Sequence, residues 1–428
     1  MTSLRVRIGV LGIALFAGAL APTSAHATAA APAPTVEEQR LDKAVPREIL
    51  RRSGFDDVAP EFTRALGGAH SYAQARRIVV REGSALWRRA VDRAQGRGPA
   101  ESRRREALPY KGGGGRRVGL SRDDDRPLYW ARLGMTREVR TWEPGFGVSD
   151  TQRGALLDVL ERTSRGQTDL RWPGGHMKRI LVTGFDPFTL DRDIRISNPS
   201  GASALALDGT VLQTDEGPAR VETAVFPVRW DDFAQGTVER TLRPYLPKVD
   251  LFTTVSQGRV GRFDVERTNG AWRGGYPDNE NLSRTGTVPV ADPASQPQWT
   301  TTTLPYAAIT AADTGRFPVY DHTEVTEIPA GGTDPVVRAD GPTAGSTARA
   351  GGGGNYLSNE IAYRATLLRD RLGLHDTLPG GHVHTPVLEF GAGNTTEVTD
   401  PDFVQNRVDI IDQVRAIVTV AADASFRN

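Results

Sequence analysis

Ser358, His384 and Glu266 can be assembled by type into a hydroxyl nucleophile, an imidazole base and a carboxylate that orients the base. A serine hydroxyl attacks only when a base takes its proton. A neutral imidazole does this best when a carboxylate fixes its tautomer and stabilises the imidazolium that forms. Ser358 follows Gly351-Gly352-Gly353-Gly354-Asn355-Tyr356-Leu357, a stretch that runs directly into Ile361, Ala365, Leu368 and Leu372. That three- and four-residue spacing predicts an amphipathic helix stopped at Gly373, with Ser358 in its first turn. There, free backbone N–H groups and the helix dipole favour negative charge, and mobile glycines would let a substrate approach the backbone closely. The competing role for a serine or asparagine at a helix start is a plain cap, worth about 1 kcal/mol. His384 lies in Gly381-His382-Val383-His384-Thr385-Pro386, where alternate histidines would share one face of a strand. Such a pair can ligate zinc, but no third ligand stands at a helpful spacing. The histidines are therefore read as solvent or core residues, with no metal and no cofactor.

Composition narrows the setting. The 428 residues suit two domains, or one domain with a long extension. Lys and Arg number 53 against 52 Asp and Glu, so no whole-chain basic field argues for nucleic acid. The clusters Arg103-Arg104-Arg105, Arg116-Arg117 and Asp123-Asp124-Asp125 are expected in solvated loops. The chain has no cysteine, which excludes disulfides, thiolate metal sites and a thiol nucleophile together. Arg5 and Arg7, the apolar run from Ile8 to Ala21 and the small-residue site Ala25-His26-Ala27 predict an export signal over residues 1–27 and a secreted protein. That run is too short for a comfortable membrane span, and no longer one follows.

Residues 28–175 predict a helical, arginine-rich extension without recognisable chemistry. Its helices are expected at Val36–Arg52, broken or restarted by Pro46, at Tyr72–Ala94, and at Ser149–Arg162 with Ser149 or Asp150 as cap. Aromatics at 127–131 and 142–146 interrupt an otherwise polar region. From residue 176 the pattern changes. Short apolar strands at Arg179–Phe185, Val221–Val228 and Val249–Val255 alternate with helices at Ala202–Leu207, capped by Asn198-Pro199-Ser200, and at Asp231–Leu242. A last helix, Asp402–Ala422, carries Val404, Val408, Ile411, Val414 and Val418 as its core stripe. Alternating strand and helix predicts an α/β domain with a mainly parallel, twisted sheet. Residues 283–350 are expected to be an elaborated loop region with short strands.

Between Lys178 and Pro386, four segments in order resemble pyroglutamyl peptidase I, or pyrrolidone-carboxylate peptidase, a family of cysteine omega-peptidases. They are Ile180-Leu181-Val182-Thr183-Gly184-Phe185-Asp186-Pro187-Phe188 with Asn198-Pro199-Ser200; Val255-Ser256-Gln257-Gly258 with Asp264-Val265-Glu266-Arg267 and Pro277-Asp278-Asn279-Glu280; Gly354-Asn355-Tyr356-Leu357-Ser358-Asn359; and Val383-His384-Thr385-Pro386. The resemblance implies an α/β/α sandwich over residues 176–428, Glu266 as orienter and His384 as base. It also implies Phe185 and Phe188 as walls of the slot for the pyrrolidone ring, with Gln257 nearby. Ser358 stands where the family has its nucleophilic cysteine, and Thr189-Leu190 where it has a glycine pair. An alcohol is too weak an acid to ionise near neutrality, so Ser358 must lose its proton to His384 during attack. The implied function is hydrolysis of an N-terminal pyroglutamyl or related amide through an acyl-enzyme on Ser358. The alternative is a catalytically silent relative that binds a peptide end or a protein. The partner is a blocked peptide or small amide rather than nucleic acid or a membrane, and a homo-oligomer is allowed.

Overall fold

Strands rich in branched apolar residues and buried on both faces pair in parallel, because only crossover helices can cover both sides of them. In the computed structural model, which describes residues 32–97, 120–172 and 174–427, such strands build a seven-stranded sheet. Five are β1 (Lys178–Phe185), β2 (Val211–Thr214), β3 (Gly217–Phe226), β4 (Leu251–Gln257) and β5 (Phe263–Glu266). With strands Val319–His322 and Gly380–Thr385 the order is Val319–His322, β5, Gly380–Thr385, β4, β1, β3, β2. The pairs of β1 with β3 and β4, of β4 with Gly380–Thr385 and of β5 with Val319–His322 are parallel. Only β2 with β3 and β5 with Gly380–Thr385 are antiparallel.

The pleat sends Ile180 and Val182 to one face of β1 and Leu181 and Phe185 to the other. Helix Pro401–Phe426 covers the first face through Phe403, Ile410, Val414 and Ile417, and helices Leu357–Arg371 and Thr237–Leu242 cover the second. Each fully buried Ile, Leu, Val or Phe contributes about 1.5–3 kcal/mol, so these two cores hold the layers together. The result is the expected α/β/α arrangement with a helical N-terminal region.

Several elements differ from expectation for identifiable reasons. The helix expected over Asp231–Leu242 is two helices, Trp230–Ala234 and Thr237–Leu242, because Gly236 adopts a left-handed φ of 77°. The last helix starts at Pro401, capped by Asp400, and its inward face is set by Phe403 and Arg407, leaving Val404 and Val408 only half-buried. Within 283–350, three strands form a small antiparallel sheet, and Val319–His322 instead extends the central sheet beside β5.

The helical region contains Val36–Gln39, Ala44–Ser53, Val58–Gly67, Tyr72–Ala94, Arg126–Thr141 and Asp150–Thr163. Pro46 sits in the first turn of Ala44–Ser53, where its missing N–H leaves no bond unmade, so the first predicted helix restarts there. Ser149 caps its helix through a reciprocal bond with Gln152. Asp123, Asp124 and Asp125 are buried, which corrects the solvated loop expected for them. Asp124 accepts from Arg126 Nε at 2.8 Å and faces Arg407, so burial, which would raise its pKa, is outweighed by two guanidiniums that hold it ionised. Arg103–Arg105, Arg116, Arg117 and residues 1–27, where an export signal is expected, lie outside the described residues.

This region docks through buried charge. Asp186, next to Phe185, is 2.6 Å from Arg132 and accepts from Arg165 at 2.8 and 3.0 Å. Leu190 packs with Leu41, Ile49, Tyr129 and Trp130. Thr189 keeps a left-handed φ of 59°, the backbone a glycine would adopt without strain.

One carboxylate at this junction makes stability depend on pH. Burial raises Asp208 to about 6, more than the bonds it accepts from Thr223 N–H and Oγ1 lower it. Its folded pKa lies above the unfolded value, so its contribution is fully present below about 4 and is lost as pH rises through 6. Asp208→Asn keeps the acceptor and removes the charge. It is expected to raise the melting temperature at pH 8 and leave it nearly unchanged at pH 4, a difference that parallel melts would detect.

Candidate active site

β5 ends at Glu266 between two strands, and the register decides what meets it. Glu266 pairs with His322 on one side and His382 on the other, with His384 two residues beyond, so all four side chains project from one face. His384 Nδ1 lies 2.6 Å from Glu266 Oε1, and His322 Nδ1 lies 2.7 Å from Oε2. Glu266 is completely buried; desolvation alone would raise its pKa, but the hydrogen bonds and charge of His322 and His384 prevail and hold it near 2. With Nδ1 committed to the carboxylate, His384 Nε2 has no hydrogen-bond partner among the described residues.

His382 has a different role. Thr254 Oγ1 is 2.7 Å from its Nδ1 and Ser256 Oγ 2.9 Å from its Nε2, so both ring nitrogens are engaged in the sheet. Burial, with His384 alongside, pushes its pKa well below the usual histidine range and keeps it neutral. It is a core histidine packed edge-on to His384, with ring centres 4.7 Å apart.

Three of the four glycines are closely packed, while a side chain on Gly354, at a left-handed φ of 77°, would meet open space. A Cβ on Gly352 would lie 2.1 Å from Glu266 Oε2, one on Gly351 2.1 Å from Asn359 Oδ1, and one on Gly353 3.4 Å from His384 Cε1. Their backbone is tied as well, with Gly352 N–H donating to Thr268 O at 2.7 Å. Gly352→Ala is expected to cost about 1–3 kcal/mol by overpacking, read as a lower urea midpoint.

Helix Leu357–Arg371 begins after Tyr356, whose side chain makes no cap bond, so Ser358 is the second helical residue and not the cap. Asn359 does not cap either; its amide bonds Gly270 N–H and Gly270 C=O at 2.8 Å each and locks the helix start to the neighbouring strand. The first-turn N–H groups of Leu357, Ser358 and Asn359 have no acceptor within the helix. Ser358 is half-buried and lines a slot with Phe185, Phe188, Asn198, Val228, Ser256, Gln257, Tyr356 and Leu357. About 10 Å³ is free inside it, roughly the room for one water molecule. Phe185, Phe188 and Gln257 thus share one slot with Ser358, and Glu266 and His384 form a bonded pair. Among the described residues Ser358 Oγ makes no hydrogen bond to His384. Leu190 is not among the lining residues; it lies under the helical region.

His322 has no counterpart among the sequence-predicted site residues. The signal for it is the short β-prone run Val319-Tyr320-Asp321-His322 after Pro318, too brief to identify without its partner strand.

Fold and site together define a mostly parallel α/β domain that carries a carboxylate–imidazole pair on its sheet and a serine at the start of the helix above. The chain belongs to the PA0049 family: residues 19–161 match the model of the PA0049 N-terminal domain, and residues 179–291 and 319–389 that of the PA0049 C-terminal domain. It is 32% identical to the uncharacterized protein PA0049 of Pseudomonas aeruginosa in an alignment 509 positions long with its gaps, covering 91% of this chain and 89% of the relative. Among solved structures it is similar to pyrrolidone carboxyl peptidase from Thermococcus litoralis, at 20% identity and a TM-score of 0.41 over 59% of this chain and 96% of that one. It is also similar to pyroglutamyl peptidase I of Bacillus amyloliquefaciens, at 20% identity and a TM-score of 0.38 over 59% of this chain and 98% of that one.

Proposed function

We propose that this chain is a secreted amide hydrolase, a divergent relative of pyroglutamyl peptidase I that uses Ser358 in place of cysteine. The observation that carries this reading is the 2.6 Å bond between Glu266 and His384. It leaves the second imidazole nitrogen without a partner among the described residues, and in this reading that nitrogen serves Ser358. Ser358 Oγ attacks the scissile carbonyl while His384 Nε2 takes its proton, and Glu266 stabilises the imidazolium. First-turn N–H groups receive the oxyanion. The tetrahedral intermediate collapses as His384 returns the proton to the leaving amine. Water, activated by the same histidine, then cleaves the acyl ester and frees Ser358. The Ser358–His384 hydrogen bond forms, in this reading, only on substrate binding, since catalytic hydrogen bonds often tighten only in the complex.

The substrate class follows from the motif resemblance: a lactam ring whose apolar part packs against Phe185 and Phe188 and whose polar edge meets the Gln257 amide, once the slot widens beyond its room for about one water molecule. The test is release of a chromogenic amine from a pyroglutamyl amide by the mature protein. Ser358→Ala is expected to retain less than about one-thousandth of the parent activity. Activity that survives in Ser358→Ala would sink the reading.

The absence of a Ser358–His384 hydrogen bond among the described residues favours a second reading, a silent relative that binds a peptide end once the slot widens. An inactive parent with an active Ser358→Cys would support it, since a thiolate at a helix start beside histidine needs less help than an alcohol. Export rests on the Arg5–Ala27 pattern and is tested by finding the processed chain outside the cell.

A further inference from the structure

Each oxygen of the Glu266 carboxylate holds a different imidazole, and only one of these histidines is needed as a base. His322 Nδ1 sits 2.7 Å from Oε2 while His384 Nδ1 sits 2.6 Å from Oε1. Oε2 is otherwise closed off: Gly352 packs so near that even a methyl group there would overlap it, and Glu266 has no exposed surface. The other charges nearby are already engaged. Arg259 Nη1 bonds Asp264 at 2.7 Å and stays 3.8 Å from Oε1, while Arg267 pairs with Asp321 at 3.0 Å. His382 is occupied by Thr254 and Ser256. His322 is therefore the one remaining donor to Oε2 among the described residues, and it reaches there because its strand pairs in parallel with β5, residue against residue.

A carboxylate bonded through one oxygen can turn about its Cγ–Cδ bond; donors on both oxygens fix its plane. Leaving a buried carboxylate oxygen without a donor is also costly, and protonation of the acid relieves that cost. A protonated Glu266 could no longer stabilise an imidazolium.

We infer that His322 is a positioning residue: by donating from Nδ1 to Glu266 Oε2 it keeps the carboxylate ionised and turned so that Oε1 sets the tautomer of His384. The inference rests on the reading of His384 as the base, but its main test does not need turnover. Imidazole resonances of the full chain labelled with ¹⁵N-histidine are followed through a pH titration in the parent, His322→Asn and His322→Leu. Asparagine can place an N–H near the Nδ1 position; leucine cannot. Expected is a low-field His384 Nδ1 proton in the parent and in His322→Asn that is lost or shifted upfield in His322→Leu, with a changed His384 midpoint. A His322→Leu variant that melts like the parent and keeps both signals unchanged overturns the inference. Should that variant fail to fold, the parent still decides: a parent without a low-field Nδ1 proton on His322 also overturns it. If the parent hydrolyses a pyroglutamyl amide, His322→Leu should lose about 10- to 100-fold in kcat, the scale of one charge-assisted hydrogen bond, with KM unchanged and partial recovery in His322→Asn. A silent parent with the expected resonances would sink the hydrolase reading and leave the role of His322 standing.

Discussion

Asp186→Ala is expected to destabilise the folded chain by about 3–5 kcal/mol, or to leave it insoluble, because it strips two buried guanidiniums of a shared partner. Arg132 is fully buried and Arg165 almost so, and Asp186 sits between them. Its carboxyl is held below the usual range: burial alone would raise it, but the two guanidiniums prevail. Arg165 is itself pushed down to about 10, by burial and by repulsion from Arg132, so this cluster, which Glu161 also touches, relies on Asp186 as its buried counter-charge. Asp186→Asn should fall between parent and alanine, since it keeps the shape and some hydrogen bonding but not the charge. Urea unfolding of the three proteins checks the order. Equal midpoints would mean that the helical region docks by its apolar contacts alone. Because Asp186 adjoins Phe185, a loosened dock is also expected to disturb the slot.

The same buried arginines explain what could not be read from the sequence. Helix Tyr72–Ala94 was legible because one face is a regular apolar stripe and Ser71 caps its start, accepting from Gln74 N–H. Helix Arg126–Thr141 was not, since Arg126 and Arg132 face inward and break the apolar period that marks a core. Their burial depends on Asp124 and Asp186, which a pattern reading takes for surface charge. In the site, Glu266 and His384 stood out through their motif contexts, and strand register then brought them together. His322 lies in a four-residue strand whose partner is 56 positions away in the chain, so only the pairing of β5 reveals it. The packing role of Gly351, Gly352 and Gly353 was hidden for a related reason: only the folded structure shows that Glu266, Asn359 and His384 fill the space beside them.

Glu266→Gln tests the site itself: if the chain hydrolyses an amide as proposed, the variant is expected to lose about 10⁴-fold in kcat with little change in fold. A carboxylate accepts from both imidazoles at once; an amide offers one oxygen and one NH₂ group. Whichever way the amide turns, one histidine meets a donor instead of an acceptor. If that histidine is His384, its tautomer reverses and Nε2 carries a proton when it should accept one. The variant also has a pH signature. The folded pKa of Glu266, about 2, lies below the ordinary value of 4.5, so its contribution to stability is present above 4.5 and is lost as pH falls toward 2. Glutamine has no such titration. Relative to the variant, the parent should therefore lose stability between pH 5 and pH 3, as urea midpoints at the two values would show. If the gap between the two proteins is the same at both pH values, Glu266 is not held ionised by its histidines, and the basis for a carboxylate-supported base in this site is removed.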